Sequence, residues 1–123
     1  MDTEPPPEVC PDEYPVEPRR LTDTDTAAVA KALGHPIRLE ILELFHVRCP
    51  RTVGDIAAEL PLAQSTISNH LRILRDANVV RTVRSDIRAW HCLNHSVLAG
   101  FAVAVTTLAR STRVTQDQSA EPI

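Results

Sequence analysis

The sequence of 123 residues has no long apolar run and no leader-like N-terminal segment. A membrane-spanning helix needs about 20 consecutive apolar residues, and no run of that kind occurs here. Met1 is followed by an acidic, proline-containing segment, whereas a signal peptide begins with basic and then apolar residues. We therefore expect a single cytoplasmic domain with no membrane partner.

Glycine and cysteine are also scarce. With only three glycines, the chain has no glycine-rich loop of the kind that binds phosphate groups. The three cysteines, Cys10, Cys49 and Cys92, are odd in number and widely spaced, which argues against a secreted disulfide framework and leaves thiols for metal or redox chemistry. An enzyme using Cys49 with His46 or His91 would lack a pattern for an orienting acid or an oxyanion hole. We expect no enzymatic activity and no organic cofactor.

Charge and proline divide the chain into segments. The first 25 residues hold eight acidic and two basic side chains, whereas the rest hold 11 basic and eight acidic ones. Six of the ten prolines lie in residues 1–20. We predict a disordered, proline-rich acidic arm at residues 1–20, a folded and mildly basic domain at 21–112, and a disordered tail at 113–123.

Four short helices are predicted before the first strand, at residues 27–33, 37–45, 53–60 and 63–78. Asp23 or Asp25 can cap the first helix, which Gly34 ends. Pro36 suits the first turn of the second helix. A capping box of Thr52 with the acid three residues later introduces the third.

The fourth helix has two different faces. Ile67, Leu71 and Leu74 recur at helical spacing and form a narrow apolar stripe that docks on a small core. The opposite face carries amides, hydroxyls and an arginine, with no acid before Asp76. Such side chains donate to phosphates and read base edges, although an ordinary solvated face is the alternative. The candidate DNA-binding residues of this helix are Gln64, Ser65, Thr66, Ser68, Asn69 and Arg72.

Two strand-like segments, 79–84 and 87–93, flank a predicted Ser85-Asp86 turn. Arg81, Arg84 and Arg88 would fringe this hairpin, where they can contact a DNA backbone or minor groove, or merely keep the hairpin soluble. Of these, Arg84 and Arg88 are the candidate DNA-binding residues of the wing. A short helix, a tight turn, a second helix and a hairpin together predict a winged helix-turn-helix.

A last helix is predicted from Ser96 to about Arg110, capped by Asn94. Its apolar face is broader than a core of this size can cover. We therefore predict a homodimer through this helix and the helix at 27–33. The expected fold class is mainly α with a small β-hairpin, in the order α-α-α-α-β-β-α.

Two stretches resemble the ArsR/SmtB family of winged-helix repressors. Residues 32–42, ALGHPIRLEIL, are similar to the entry of that family's second helix, and residues 62–75, LAQSTISNHLRILR, resemble its recognition helix. The resemblance implies a dimer that represses its own operon on double-stranded operator DNA and releases it when an inducer binds. By position, Gln64, Ser65, Ser68 and Asn69 match the family's DNA-contacting residues.

The resemblance also bears on the inducer. The family's Cys-x-Cys pair before the short helix is absent, since Thr52-Val53-Gly54 stands there, and residues 96–113 hold no His, Asp, Glu or Cys. A zinc or nickel site of those types is therefore not expected. The spacing of Cys10 and Cys49 resembles the arsenite sensors of the corynebacterial subtype, which implies trivalent arsenic or antimony as inducer and these two cysteines as its ligands.

Several alternatives stay open at this stage. The corynebacterial sensors carry two adjacent arm cysteines, whereas Cys10 stands alone, so a monomethylated arsenical with two open valences, or completion of the site by Cys92 or hydroxide, would be needed. Arg48 and Arg51 flank Cys49 and should favour its thiolate. The same thiols could instead serve a redox or persulfide switch, or be incidental, with Cys92 a packed strand residue. His70 and His35 are expected to have structural roles.

Overall fold

The computed structural model of the chain describes residues 16–119. Five helices and one two-stranded antiparallel hairpin make up this part: α1 Asp23–Leu33, α2 Pro36–Val47, α3 Val53–Ala57, α4 Gln64–Asp76, β1 Val80–Arg84, β2 Ala89–Leu93 and α5 His95–Ser119. The predicted element order and the mainly helical class with a small hairpin are confirmed. A short helix, a turn and a second helix followed by a hairpin wing form a winged helix-turn-helix.

Side-chain caps set where α1 and α3 begin. Thr22, and neither predicted aspartate, caps α1: its Oγ1 accepts from the Asp25 amide at 3.0 Å, and Asp25 Oδ2 accepts from the Thr22 amide at 3.2 Å. The helix therefore starts at Asp23, ahead of the predicted residue 27. The capping box predicted for α3 is confirmed, with Thr52 and Asp55 as its two members. Helix α3 ends at residue 57 and not at 60, because Pro61 disfavours helical backbone just before it.

His35 and Pro36 start α2 as a corner of the chain. His35 Nδ1 accepts a hydrogen bond from the Ile37 amide at 3.2 Å, and Pro36 occupies the first helical turn. The structural role expected for His35 is confirmed. The helix continues to Val47, two residues beyond its predicted end.

The hairpin has a longer loop than predicted. Val80 pairs with Leu93 and Arg84 with Ala89, which leaves the four residues 85–88 as the loop. Ser85 closes this loop, because its amide donates to the Arg88 carbonyl at 2.8 Å and its hydroxyl bonds the backbone of Arg88 at 3.2 Å. Arg88 consequently belongs to the loop and not to the second strand.

The core joins all the helices to the inner face of the hairpin. Its buried members are Val29, Ala32, Ile41, Leu42, Phe45, Ile56, Ile67, Leu71, Leu74, Val79, Val80, Leu93 and Val97. The predicted stripe of α4 is confirmed, since Ile67, Leu71 and Leu74 are 0, 2 and 0 % exposed. Asn94 Oδ1 accepts from the Val97 amide at 3.4 Å, as expected of a cap for the last helix.

Helix α5 is longer than predicted and leaves apolar side chains in solvent. It runs to Ser119 and not to about Arg110, because no proline or glycine interrupts the chain between Gly100 and Pro122. The predicted tail, residues 113–123, thus overlaps α5 as far as Ser119, and the rest of it lies outside the described residues. Val103, Val105 and Leu108 are 52, 46 and 67 % exposed.

The chain ahead of α1 is fastened to α5. Of the predicted arm, residues 1–15 lie outside the described residues and 16–20 are irregular. The Arg19 amide donates to the Ser96 carbonyl at 2.9 Å. The Arg19 carbonyl then lies directly over Gly100, where a Cβ would collide with it. Gly100 therefore provides the space in which this segment crosses α5.

We expect Gly100→Ala to lower the free energy of unfolding by about 1 to 3 kcal/mol, because the new methyl group meets rigid backbone. In an open helix position the same change would instead add about 1 kcal/mol of stability. Gly54→Ala is the matched control, since its Cβ would have no neighbour nearer than 3.8 Å. Urea unfolding of both variants tests this, and equal stability of the two would contradict it.

His91 is a buried imidazole between the hairpin strands and the end of α4. It is 5 % exposed, its Nδ1 lies 3.1 Å from the Thr82 hydroxyl, and its buried Nε2 has no hydrogen-bond partner. Burial, followed by the positive charges of Arg75 and Arg84, lowers the pKa of His91 to about 4. The imidazole is therefore neutral in the folded protein at neutral pH.

The His91 pKa predicts a loss of stability in acid. An unfolded histidine titrates near pH 6.5, so between pH 6.5 and about 4 the unfolded state binds more protons, and the free energy of unfolding falls as the pH falls. The contribution is at most about 3 kcal/mol across this window. Urea unfolding from pH 7 to 4.5 should show a shallower decline in His91→Gln than in the wild type and in His46→Gln, whose side chain is exposed. Parallel declines in all three would refute the assignment.

Candidate DNA-binding surface and Cys49 segment

The polar face of α4 points away from the core. Because the apolar stripe is seated inward, the opposite side of the helix is left in solvent, and no acid lies in its first turn. The structure places six predicted DNA-binding residues on this exposed side: Gln64, Ser65, Thr66, Ser68, Asn69 and Arg72. They form one surface of donors and acceptors, which we call the α4 face.

The N-terminus of α4 lies at one end of the α4 face. Its cap residue is Ala63, which supplies no side-chain hydrogen bond to the first turn. The amides of that turn therefore remain available to an anion such as a backbone phosphate. Gln64 reaches back beside Gly54 of α3, so the two helices of the helix-turn-helix meet at this end.

Within the α4 face, Arg72 is held by its neighbours. Its Nη2 donates to Asn69 Oδ1 at 2.7 Å, and its Nη1 lies 3.6 Å from Asp76 Oδ2. The ion pair is exposed and contributes little stability. Its effect is to orient the guanidinium and the Asn69 amide together.

His70 joins α4 to α2 and is not part of the α4 face. Arg38 Nε donates to His70 Nδ1 at 3.2 Å, and the His35 ring lies 4.8 Å from the His70 ring between centroids. Burial, with the charges of His35 and Arg38, lowers the pKa of His70. A neutral imidazole that accepts from Arg38 has the packing and hydrogen-bonding role expected from the sequence.

The predicted wing arginines differ in their surroundings. Arg84 is exposed at the end of β1. Arg88 is half-buried in the hairpin loop, with its guanidinium carbon 6.0 Å from the centre of the Trp90 ring. Arg81 on β1 is a further exposed arginine of the wing. The wing therefore extends the positive charge beside α4.

Cys49 lies in the connection between α2 and α3, half-buried against the core. Burial raises the pKa of the Cys49 thiol, and this outweighs a hydrogen bond from the Leu93 backbone and the charges of Arg51 and Arg81. Arg51 favours the thiolate, as expected from its position, but burial outweighs its charge. Arg48 points instead toward Asp55, at 3.9 Å, and desolvation determines the protonation state of the thiol.

Of the other two cysteines, the structure describes only Cys92. Cys10 lies outside the described residues, so the structure does not place it relative to Cys49. Cys92 is fully buried in β2, opposite Arg81, and is disulfide-bonded. Within residues 16–119, no three His, Cys, Asp or Glu side chains are grouped so that they could hold a metal ion.

Sequence reasoning missed Arg51 as a buried residue. It counted Arg51 only as a positive charge near Cys49, but the side chain is 1 % exposed and its Nη1 donates to Glu59 Oε2 at 3.0 Å. No local pattern signals this, because the partners of Arg51 come from several segments of the chain. The helix-capping motif that follows it at Thr52 explains only the start of α3.

Residues 35–82, which contain α2, α3, α4 and the start of β1, match the family model described as bacterial regulatory protein, arsR family. The transcriptional repressor SdpR of Bacillus subtilis is 37 % identical over 70 residues, covering 57 % of this chain and 77 % of the relative. This chain belongs to the ArsR family. It is a transcriptional regulator of the winged helix-turn-helix class.

Two further ArsR-family likenesses add context. The arsenical resistance operon repressor of Staphylococcus aureus is 31 % identical over 75 residues, covering 60 % of this chain and 70 % of the relative. A possible ArsR-family regulator from Mycobacterium bovis, solved as a homodimeric winged helix-turn-helix DNA-binding domain, matches with a TM-score of 0.56 and 23 % identity over 76 % of this chain and 84 % of that one. The latter likeness shows the fold alone.

Among the described residues, no helix is long and apolar enough to cross a membrane.

The α4 face and the wing should contribute differently to DNA binding. We expect Gln64→Ala to relax base preference, and Arg84→Ala to weaken binding to every sequence and to reduce the salt slope by about 1. Fluorescence anisotropy on specific and random duplexes at several salt concentrations separates these effects. Arg20→Ala, which removes an exposed arginine outside both surfaces, is the control. Equal losses on specific and random DNA from Gln64→Ala would contradict a reading role for α4.

Proposed function

We propose that this ArsR-family chain is a homodimeric repressor that releases a double-stranded operator when a trivalent arsenical, or antimony(III), binds its cysteines. The α4 face is the observation that carries the proposal, because it is exposed, lacks acids in its first turn and adjoins a helix N-terminus with no side-chain cap. These are features that a major-groove reading helix requires.

In this proposal α4 enters the major groove and the wing follows the backbone. Gln64, Ser65, Thr66, Ser68 and Asn69 meet base edges and nearby phosphates, and Arg72 is oriented toward the same groove by Asn69. Arg84 and Arg88 of the wing supply the salt-dependent contacts to phosphates or the minor groove. The proposed DNA-binding and dimerisation domain is residues 21–112, and residues 1–20 are its acidic arm.

Dimerisation is proposed through α5 together with α1. Val103, Val105 and Leu108 present an apolar strip that nothing in residues 16–119 covers. Helix α1 packs against α5, so the two lie on one side of the domain. The Mycobacterium bovis domain of similar fold is itself homodimeric, which supports a dimeric state for this chain. A two-fold dimer would present two α4 faces to successive turns of a palindromic operator.

Cys49, a free thiol, and Cys10 in its reduced form are the proposed ligands of the inducer. Trivalent arsenic and antimony prefer thiolate sulfur to other protein ligands. Each protonated thiol gives its proton to an arsenic-bound hydroxyl, which leaves as water while the sulfur–arsenic bond forms. A raised thiol pKa is compatible with this condensation, and two thiols match the two open valences of a monomethylated arsenical. The Staphylococcus aureus relative is itself named an arsenical resistance operon repressor.

A thiol redox or persulfide response is the second candidate function. The disulfide-bonded state of Cys92 is the observation that favours it. The raised pKa of Cys49 opposes it, because the thiolate is the form that reacts with peroxide. The two functions predict different products, an arsenic–sulfur adduct or a disulfide or polysulfide bridge.

The arsenical proposal predicts release of DNA that depends on both cysteines. Arsenite or methylarsenite should weaken operator binding by the reduced wild type by roughly 5- to 150-fold, which corresponds to about 1 to 3 kcal/mol of coupling. Cys10→Ser and Cys49→Ser should bind the operator as the wild type does and should not respond. Fluorescence anisotropy measures both affinities on a duplex from the region upstream of the coding sequence.

The outcomes discriminate among the candidates. Response to methylarsenite alone would explain why one arm cysteine is sufficient. Tight binding that neither compound changes, together with release by peroxide or polysulfide and a bridge seen by mass spectrometry, would replace the arsenical proposal by the redox one. Failure to bind any duplex would remove both.

A further inference from the structure

Arg51 is the most deeply buried charged side chain among residues 16–119, and it stands two positions after Cys49. An arginine in the interior is costly unless every part of it is hydrogen-bonded. Its contacts connect the Cys49 segment to both parts of the candidate DNA-binding surface, which are the α4 face with its helix-turn-helix and the wing.

The side chain of Arg51 holds the end of α2 and the turn that follows α3. Its Nε donates to the carbonyl oxygens of Leu44 at 3.0 Å and Arg48 at 2.9 Å, at the C-terminal end of α2. The Leu44 carbonyl also accepts from the Arg48 amide at 3.2 Å. Arg51 Nη1 donates to Glu59 Oε2 at 3.0 Å. Glu59 lies in the turn between α3 and α4, so this ion pair connects the turn of the helix-turn-helix to the end of α2.

The backbone of Arg51 holds the wing. The Arg51 amide donates to the His91 carbonyl at 3.0 Å, and the His91 amide donates to the Arg51 carbonyl at 2.8 Å. These paired bonds form a β-bridge at the edge of β2 that β1 does not occupy. The His91 ring then meets the Thr82 hydroxyl of β1 at 3.1 Å. Both strands of the wing are thereby connected to the segment that carries Cys49.

Cys49 is fastened to the same strand. The hydrogen bond from the Leu93 backbone to Cys49, noted above, lies two residues beyond the His91 bridge. A group added to the Cys49 sulfur changes the surroundings of this contact. Pro50 alone separates Cys49 from Arg51, so the short segment that carries the thiol also carries the bridge and the ion pair.

We propose that Arg51 is the residue through which the state of the Cys49 thiol reaches both the helix-turn-helix and the wing. It is a positioning residue, because it lies in the interior and does not contact DNA. The proposal rests on the proposed thiol response of Cys49, but not on arsenic as the reagent. Its specific content is that the Arg51–Glu59 ion pair and the Arg51–His91 bridge carry the coupling.

The test measures coupling apart from affinity. Operator Kd is determined for the full-length dimer before and after modification of Cys49 with N-ethylmaleimide, which bonds the sulfur at one alkene carbon and takes the thiol proton at the other. Peptide mass spectrometry confirms the modified residue, and Cys49→Ser treated identically is the blank. Methylarsenite is used in a parallel series. The ratio of the two Kd values is the coupling factor.

Glu59→Ala is the informative variant, because Glu59 lies at the exposed end of the ion pair, with 46 % of its side chain accessible. We expect its unmodified Kd to stay within about threefold of the wild type, while the coupling factor falls at least about fivefold, toward 1. Glu43→Ala, an exposed glutamate on α2, is the matched control and should retain the wild-type factor. Arg51→Lys should also lose coupling, since an ammonium cannot reproduce the guanidinium fork, but it is interpreted only if thermal unfolding shows a native fold.

Every outcome decides the proposal. Loss of coupling in Glu59→Ala but not in Glu43→Ala supports it. Wild-type coupling in both variants overturns it. If maleimide but not methylarsenite weakens DNA binding, the arsenical function fails while the coupling test still stands. If neither reagent changes the wild-type Kd, Cys49 transmits nothing, and the role given to Arg51 is overturned with it.

Discussion

Burial of the apolar stripe of α4 is the constraint on which the remaining arrangement depends. Ile67, Leu71 and Leu74 are removed from water almost completely, and each such side chain contributes about 2 kcal/mol by the usual area relation. A helix fixed in rotation by three buried side chains has only one face left to present. The α4 face is polar and free of acids in its first turn. The packing that buries the apolar stripe therefore also exposes the donors and acceptors of α4.

The charged side chains of this protein differ in the segment that carries them and in how deeply they are buried. The acidic residues are concentrated in the first 25 positions, while the exposed arginines of the wing stand beside α4. The net charge of -3 therefore says little about the field that DNA would meet. Arg51 is the exception in depth, because its charge is used internally to join segments. Arginine therefore has two roles in this chain: exposed in the wing, it contributes positive charge beside α4, and buried at Arg51, it joins segments of the interior.

Sequence patterns predicted well whatever depends on near neighbours. The element order, the Thr52–Asp55 capping box, the α4 stripe and the corner at His35 all follow from residues a few positions apart. The pKa of Cys49 was not predictable in this way, because distant segments bury the thiol and raise it. The hairpin loop is a local exception, longer than predicted because the Ser85 hydroxyl bonds the Arg88 backbone three residues on. Of the candidate site, the exposed α4 residues were predictable, whereas the contacts of Arg51 depend on tertiary packing.

The protonation of Cys49 and the contacts of Arg51 are two consequences of one arrangement. Seating the residue 49–51 segment against β2 buries the thiol and at the same time makes the His91 bridge possible. A more exposed Cys49 would be a better nucleophile but would be less firmly connected to the wing. A raised pKa leaves little of the thiolate that oxidants attack, whereas condensation with an arsenic-bound hydroxyl removes the thiol proton as water. In the proposed mechanism, the packing that raises the pKa of Cys49 is therefore also the packing through which a bond formed at its sulfur acts on the DNA-binding elements.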